Sequence, residues 1–393
     1  MFLTKLRLEP SPQQHLVDAV GGGRNSPRPP TPTRLENLLV TARIQGPIRV
    51  GVVGCGIIAD AHLPYIKKAG GVVVGAADPS LRVASDLADR HAIQRTYRSA
   101  EELFDVEKPN VVHVLTPPHT HADVAVAALE RGIHTLVEKP LALTMADTER
   151  MVAAASRGNA VLTADHNRLF DPPMLEARRL VDEGALGEIV AIESYQAGAA
   201  SERSWLSRLA GGGIGDLVPH PLYLQLAFLG PVLNVQAHAF GSDGNPRELR
   251  VLMQGEGRSG SLTISTGANP GLNTLKLCGT KMTVEVNLNN MSLVRRRDYA
   301  VPKIIAKPLP NLDEASQLVK QTLQTTVNFL RGTVRYYPGM GTLIERFYQS
   351  LREGTEPPVT TAQAVDVVAA TEKIWAAVRE SDAAAARVAA AGE

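Results

Sequence analysis

Two short stretches carry residues whose types and spacing could do chemistry. The first, VGVVGCGIIADAH, sets Gly54, Gly56 and Ala59 in a G-x-G-x-x-A pattern between an apolar run and a helical one. A glycine at the tight turn, a second where backbone meets pyrophosphate, and a small residue where helix packs on strand are what a dinucleotide requires. The phosphates then sit at a helix N-terminus, which carries roughly half a positive charge. The second stretch, HTLVEKPLA (134–142), runs a β-rich segment straight into Glu138, Lys139 and Pro140. Proline pushes the residue before it into extended geometry, and neighbours on a strand point to opposite faces. Glu138 and Lys139 are therefore expected not to pair, and the ammonium is sent elsewhere.

The elements that must hold these residues are legible as a rhythm. Apolar runs at 48–53, 72–77, 111–115, 133–137 and 160–164 alternate with helical patterns at 80–92, 121–132 and 144–158. Buried strands alternating with helices mean βαβ units and a parallel sheet covered on both faces. The run at 72–77 ends in AADPS, which puts Asp78 where a ribose-binding acid falls. A carboxylate ~4 Å from the 2′-phosphate of NADP would repel it by about 4 kcal/mol at an effective dielectric of 20. That favours NAD by at most roughly a thousandfold. NADP stays open, because Asp78 could swing away and Arg82 is close in sequence.

After about 187 the pattern changes to strands with short connections, at 188–198, 234–241, 247–255, 260–266, 273–279, 281–288 and 291–297. SLTIS and TVEVNL alternate apolar and polar residues, as a sheet with one solvated face does. Helices return at about 312–332, 340–353 and 361–380, the last with Val365, Val368, Trp375 and Val378 on one face. The fold class is α/β: an N-terminal Rossmann domain with a doubly wound parallel sheet, then a C-terminal α/β domain with a large, mostly antiparallel sheet. The expected divisions are a largely disordered extension (1–46) containing one helical pattern at 34–44, a dinucleotide-binding domain (47–165), a second α/β domain (166–360), and a C-terminal helix and tail (361–393). The alanine-rich end is expected to fray.

Composition limits the function classes. At 393 residues the chain can hold two cores. Its 41 basic and 40 acidic residues leave no footprint for nucleic acid or an anionic membrane. No apolar run approaches ~18 residues. Two cysteines, Cys55 and Cys278, make no disulfide framework and fit a reducing compartment. A cytoplasmic location is expected; a transit peptide is the alternative, since the first 46 residues contain arginine and few acids.

The chain resembles the glucose–fructose oxidoreductase / inositol dehydrogenase (Gfo/Idh/MocA) family from about 48 to 380. The resemblance rests on the glycine loop, AADPS, TPPHTHADVAVAALERGIHTLVEKPLA (116–142), RLFDP (168–172), GALGEIVAI (184–192) and GGGIGDLVPH (211–220). It implies a Rossmann domain joined to an open-sheet domain (166–360) that binds substrate and assembles into a homo-oligomer, a dimer or tetramer. It also implies hydride transfer between a nicotinamide and a hydroxyl or keto carbon of a sugar, cyclitol or nucleotide sugar. By the same resemblance Gly54, Gly56, Ile57, Ile58, Ala59, Asp78, Thr116, Pro117, His121, Glu138 and Lys139 line the cofactor. Lys139 faces the reacting oxygen, His220 is the acid/base, Asp216 orients His220, and Asn167, Arg168 and Tyr223 join Lys139, Asp216 and His220 around the substrate.

GGGIGDLVPHPLYLQ departs from the family pattern. The glycine run lies one residue closer to the aspartate, Val218 replaces a common glycine, and Tyr223 replaces a common second aspartate. Pro219 and Pro221 flank His220, and proline fits only a helix's first turn. The helix is thus expected to start near Pro221, so the spacing of four does not establish a shared face. Tyr223 could donate a proton, bind a hydroxyl or pack. Elsewhere, HTH (119–121) invites a metal reading, but no ligand set completes it at sensible spacing, and no metal is expected. The arginine run 295–297 could meet a diphosphate or be a solvated strand end, and Cys55 reads as a small filler. Two rival functions belong to relatives. One is an enzyme that cycles tightly held NAD internally during glycoside cleavage, elimination or sugar–sugar oxidoreduction. The other is a non-catalytic dinucleotide-binding regulator, which would have no need of Lys139, Asp216 and His220 together.

Overall fold

The computed structural model describes residues 43–199, 204–242, 245–330 and 337–391. The expectations for the N-terminal extension lie almost wholly outside them; Arg43 and Ile44, at the end of the helical pattern 34–44, are described and not helical.

The first layer alternates as the apolar runs require. It comprises β1 (Ile48–Val53), α1 (Ile57–Lys68), β2 (Gly71–Ala77), α2 (Leu81–His91), β3 (Thr96–Tyr97), α3 (Ala100–Glu107), β4 (Val111–Val114), α4 (His121–Leu129), β5 (His134–Val137), α5 (Met145–Gly158) and β6 (Leu162–Ala164). The strands run parallel in the order β3-β2-β1-β4-β5-β6. Ile48, Val50 and Val52 are fully buried because helices cover both faces. Helices α3 and α5 begin where Ser99 and Thr144 accept the backbone N–H of Glu102 and Asp147. The two-residue β3 leaves no periodic trace in the sequence.

The second layer holds α6 (Pro172–Asp182), β7 (Ile189–Ala197), α7 (Gly212–Leu217), α8 (Pro219–Leu229), β8 (Asn234–Ser242), β9 (Asn245–Gln254), β10 (Ser259–Ser265), β11 (Leu272–Gly279), β12 (Thr283–Asn287) and β13 (Ser292–Arg296). Its strands order as β13-β12-β11-β7-β10-β9-β8, antiparallel except for the parallel pair β7–β10. Helices α9 (Lys303–Ala306), α10 (Pro308–Leu330), α11 (Pro338–Glu353) and α12 (Thr361–Ala391) complete the chain.

Two differences from the sequence expectation matter for the site. Helix α8 starts at Pro219, not Pro221; both prolines sit in its first turn, where a missing N–H costs nothing. Helix α12 continues to Ala391 rather than fraying from the alanine-rich end, as alanine's helix propensity permits.

The last two helices join the layers. Met340, Ile344, Phe347 and Tyr348 of α11 are buried in the Rossmann core beside β1 and α1. From α12, Ala364 and Val368 enter the Rossmann core, while Ile374, Trp375 and Val378 enter the core under the second sheet. Among the described residues, no helix is long and apolar enough to cross a membrane.

Candidate active site

In the first layer's strand order the chain reverses direction between β1 and β4, and open α/β sheets bind ligands outside the carboxyl ends of their strands at such a point. A cavity of about 1680 Å³ lies there, walled by the residues that follow β1, β2, β4 and β5 and, opposite them, by Asp216 and His220.

At one end is the glycine loop. Gly54 has φ +92°, and a Cβ there would lie 2.6 Å from the Leu115 carbonyl carbon and oxygen, so only glycine lets β1 turn against the end of β4. A Cβ on Gly56 would meet nothing within 4 Å. Gly56 precedes α1 and gives it no side-chain cap, so the first N–H groups of a twelve-residue helix face open space. That space fits a pyrophosphate. Ile57 and Ile58 line the cavity, whereas Ala59 is fully buried at the helix–strand contact.

Asp78 closes the loop. Its Oδ2 accepts the Cys55 N–H at 3.1 Å and its Oδ1 accepts the Ser80 N–H at 2.9 Å. Arg82 points to Asp86, 3.8 Å away. The carboxylate is therefore pinned at the cavity wall. Burial, helped by Asp78, pushes the Cys55 thiol up to about 12, so Cys55 is an unreactive filler.

At the other end Lys139 follows β5, across a cis bond to Pro140. Its Nζ donates to Asp216 Oδ1 at 2.8 Å and to the Asp216 carbonyl at 3.1 Å. Glu138 does not pair with that ammonium; its Oε2 accepts the Lys139 backbone N–H at 2.8 Å. So the lysine crosses the cavity to a carboxylate presented by α7.

His220, on α8, is oriented by a different group from the one expected. Asp216 is engaged by Lys139, while the Tyr223 hydroxyl lies 2.9 Å from His220 Nδ1. The same hydroxyl accepts the Arg168 backbone N–H at 3.3 Å, and the Tyr223 ring stacks on His166 at 4.4 Å. Because α8 starts at Pro219, His220 and Tyr223 are three residues apart within one helix, close enough to meet. Burial, then the charges of Lys139, Arg168 and His166, hold the His220 pKa well below the ordinary imidazole value.

The remaining candidates separate into wall and support. Thr116, Pro117, Glu138, Asn167 and Arg168 line the cavity. His121 stands behind it: it is fully buried, with Nδ1 2.8 Å from the Pro140 carbonyl and Nε2 2.8 Å from the Thr116 carbonyl. It staples the loop after β4 to the one after β5 and does not contact the cavity as expected, while His119 is exposed. Tyr223 is also buried, acting through its hydroxyl on His220. The arginine run is spent on Glu176, Glu285, Glu314 and the Tyr299 ring.

Sequence reasoning missed Asp171, Trp205, Asn289 and Met291, which also line the cavity. Asp171 was within reach as part of RLFDP; Trp205 comes from a short 3-10 helix (Ser204–Arg208), and Asn289 and Met291 from a turn, none with a readable pattern. It missed as well a buried cluster under Lys139, in which His62 approaches both Glu138 and Asp165.

Residues 48–166 match the GFO/IDH/MocA oxidoreductase family, NAD-binding Rossmann fold, and residues 174–285 match the GFO/IDH/MocA C-terminal domain. The chain belongs to the Gfo/Idh/MocA family. It is 29% identical over 213 residues to levoglucosan dehydrogenase of Pseudarthrobacter phenanthrenivorans, covering 48% of this chain and 53% of that one. It is also 29% identical over 216 residues to D-glucoside 3-dehydrogenase of Escherichia coli, covering 53% and 62%. The chain thus spans between half and two thirds of the length of these curated relatives. The fold matches a levoglucosan dehydrogenase complexed with NADH at a TM-score of 0.71 and 18% identity, covering 85% of this chain and 98% of that one.

In this Gfo/Idh/MocA chain, burial and then three neighbouring side chains set the state of one imidazole, which is directly measurable. His220 is expected to stay neutral to well below pH 6.5 when histidine-labelled protein is titrated by NMR. Arg168→Gln removes one of the cations and should move that midpoint upward. A wild-type midpoint at or above the ordinary value would sink the assignment.

Proposed function

We propose that this protein is a nicotinamide-dependent oxidoreductase that moves a hydride to or from a hydroxyl-bearing carbon of a sugar, cyclitol or nucleotide sugar. The observation that carries the reading is that one cavity holds the glycine loop and Asp78 at one end and Lys139, Asp216 and His220 at the other. The relatives support the substrate class: one is a levoglucosan dehydrogenase, another a D-glucoside 3-dehydrogenase, and a similar fold was solved with NADH and UDP-GlcNAcA.

The cofactor, once bound, supplies the hydride acceptor or donor. Gly54, Gly56 and the first N–H groups of α1 would hold its diphosphate and Asp78 its ribose, with Thr116 and Pro117 on the same wall. Lys139 presents its ammonium, steadied by Asp216, to the substrate oxygen and stabilises the negative charge that grows there. His220 takes the hydroxyl proton. In the tautomer that donates Nδ1–H to the Tyr223 oxygen, Nε2 keeps its lone pair, and the low pKa keeps that lone pair free at neutral pH. Tyr223 is a positioning residue: its hydroxyl orients the imidazole ring where a carboxylate was expected.

The reading is tested by denaturing purified protein to identify any released dinucleotide, titrating the empty form with NADH and NADPH, and screening glycosides, inositols and nucleotide sugars for reduction of NAD. If neither cofactor binds at millimolar concentration, the reading fails. Lys139→Ala should lower turnover by roughly a hundredfold or more while leaving cofactor affinity nearly unchanged; unchanged turnover removes Lys139 from the chemistry. Tyr223→Phe keeps the buried ring and loses only the hydroxyl, so kcat should fall by about tenfold or more, with NADH affinity intact. Equal kcat would make Tyr223 a packing residue only. NAD should be preferred over NADP, and Asp78→Asn, which retains an acceptor for the Cys55 N–H, should shrink that preference by roughly tenfold or more. No change in the ratio would show that Asp78 does not set cofactor choice.

A further inference from the structure

Beneath Lys139, three side chains converge without satisfying one another. His62 from α1, Glu138 after β5 and Asp165 after β6 each bring one donor atom within 4.8 Å of the other two. His62 Nε2 is 3.1 Å from Asp165 Oδ2 and 3.6 Å from Glu138 Oε1. These separations bracket about 3.4 Å, the edge of a tetrahedron whose corners lie ~2.1 Å from a central ion. His62 and Asp165 are fully buried, and Glu138 is 8% exposed. Among the described residues, His62 Nε2 and both Asp165 oxygens make no well-aligned hydrogen bond, although Nε2 stands at ion-pair distance from both carboxylates. An N–H on Nε2 aimed at Asp165 would have satisfied both atoms. Instead the donors point at shared space, and an unsatisfied buried acceptor or donor is costly.

The far side of His62 is arranged as a ligand histidine's is. His62 Nδ1 lies 3.1 Å from His113 Nδ1, and His113 Nε2 lies 2.9 Å from the Tyr348 hydroxyl. A metal-bound imidazole gives its second N–H to a neighbour, which fixes its tautomer. His62 Nδ1–H donated to His113 leaves the Nε2 lone pair for an ion. Without an ion, burial works to lower the His62 pKa, but Asp165 and Glu138 outweigh it and push it up to about 9; a divalent cation displaces that proton and takes over the neutralisation of both carboxylates. One nitrogen and two oxygens suit zinc or manganese better than calcium, which takes six to eight oxygens. Glu138 lines the cavity, giving an ion a way in.

We propose that His62 Nε2, Glu138 Oε1 and Asp165 Oδ2 form a site for one divalent transition-metal ion, which clamps α1 to the ends of β5 and β6 under Lys139. The clamp reaches the lysine because the other Glu138 oxygen holds the Lys139 N–H. The sequence expectation of no metal weighed only His119 and His121; this cluster draws its members from three elements 27 or more residues apart.

The test needs no turnover and so stands apart from the oxidoreductase reading. Full-length protein stripped with a chelator is titrated with Zn²⁺ by calorimetry, and with Co²⁺ while the histidine NMR signals are followed. One equivalent per chain is expected, with the His62 and His113 signals broadened first and a higher melting temperature with Zn²⁺. Asp165→Asn should weaken Zn²⁺ binding by about a hundredfold. Should that variant not fold, the order of broadening in the wild type still locates the ion. No binding at about 0.1 mM metal, broadening confined to surface histidines, or an Asp165→Asn variant with wild-type affinity would each overturn the proposal and leave the cluster a buried ion triad.

Discussion

The arrangement of this molecule depends on where the Lys139 ammonium goes. A buried strand delivers it to the carboxyl edge of the first sheet, where only 16% of its side chain is exposed, and its partner is 15% exposed. Leaving either charge alone in such a place costs about 3–5 kcal/mol. The partner comes from the other layer, 77 residues on, so the ion pair closes the cavity and holds the two layers' functional groups in register. The elements behind Asp216 are correspondingly firm. A Cβ on Gly211, just before α7, would lie 1.9 Å from the Trp375 ring, so α7 begins flat against α12. And α12 is itself packed into both cores.

That one pair also sets the surroundings of His220. A carboxylate given to Lys139 is not available to His220, and a histidine near two cations and partly buried is pushed toward its neutral form. A second aspartate beside it would have pulled the other way, raising the imidazole pKa and adding a buried charge. Tyrosine supplies the orienting contact with neither effect: burial holds the Tyr223 phenol well above its ordinary pKa, so it remains a neutral hydroxyl. With Asp216 on Lys139 and Tyr223 on His220, the imidazole is oriented without a carboxylate partner.

How much of this was legible in the sequence follows from the range of the forces involved. The Rossmann strands, the glycine loop and the position of Asp78 are local consequences of apolar periodicity and turn sterics, and they stand where the pattern put them. The second sheet was equally readable, because each of its strands alternates or runs apolar between turns. The start of α8 was not: Pro219 and Pro221 both fit a first turn, and one-dimensional reasoning cannot choose between them. Nor could spacing say that Asp216 turns to Lys139 and Tyr223 to His220, since both contacts depend on how α7 and α8 meet the first layer. His121 looked like a cleft residue from its place after β4, but two carbonyls close enough to occupy both ring nitrogens appear only in three dimensions. Helix α11 shows the same limit, its amphipathic pattern giving no sign that it returns to the Rossmann core.

Glu138 is where these threads join. Burial works to raise its pKa, but His62, Lys139 and His121 outweigh it and hold the carboxyl below its ordinary value. Asp165, a few ångströms away and equally buried, is pushed up to about 6, because burial and the charge of Glu138 act together against the attraction of His62. Two like groups facing one imidazole have been driven apart, and the one held lower is the one whose second oxygen holds the Lys139 backbone. A neutral acid at position 138 would still occupy the space, but its grip on that N–H would fall from a charge-assisted hydrogen bond to an ordinary one, about half as strong. The buried cluster therefore bears on the reacting end of the cavity without touching it: by keeping Glu138 ionised, it fixes the backbone from which Lys139 reaches across to Asp216.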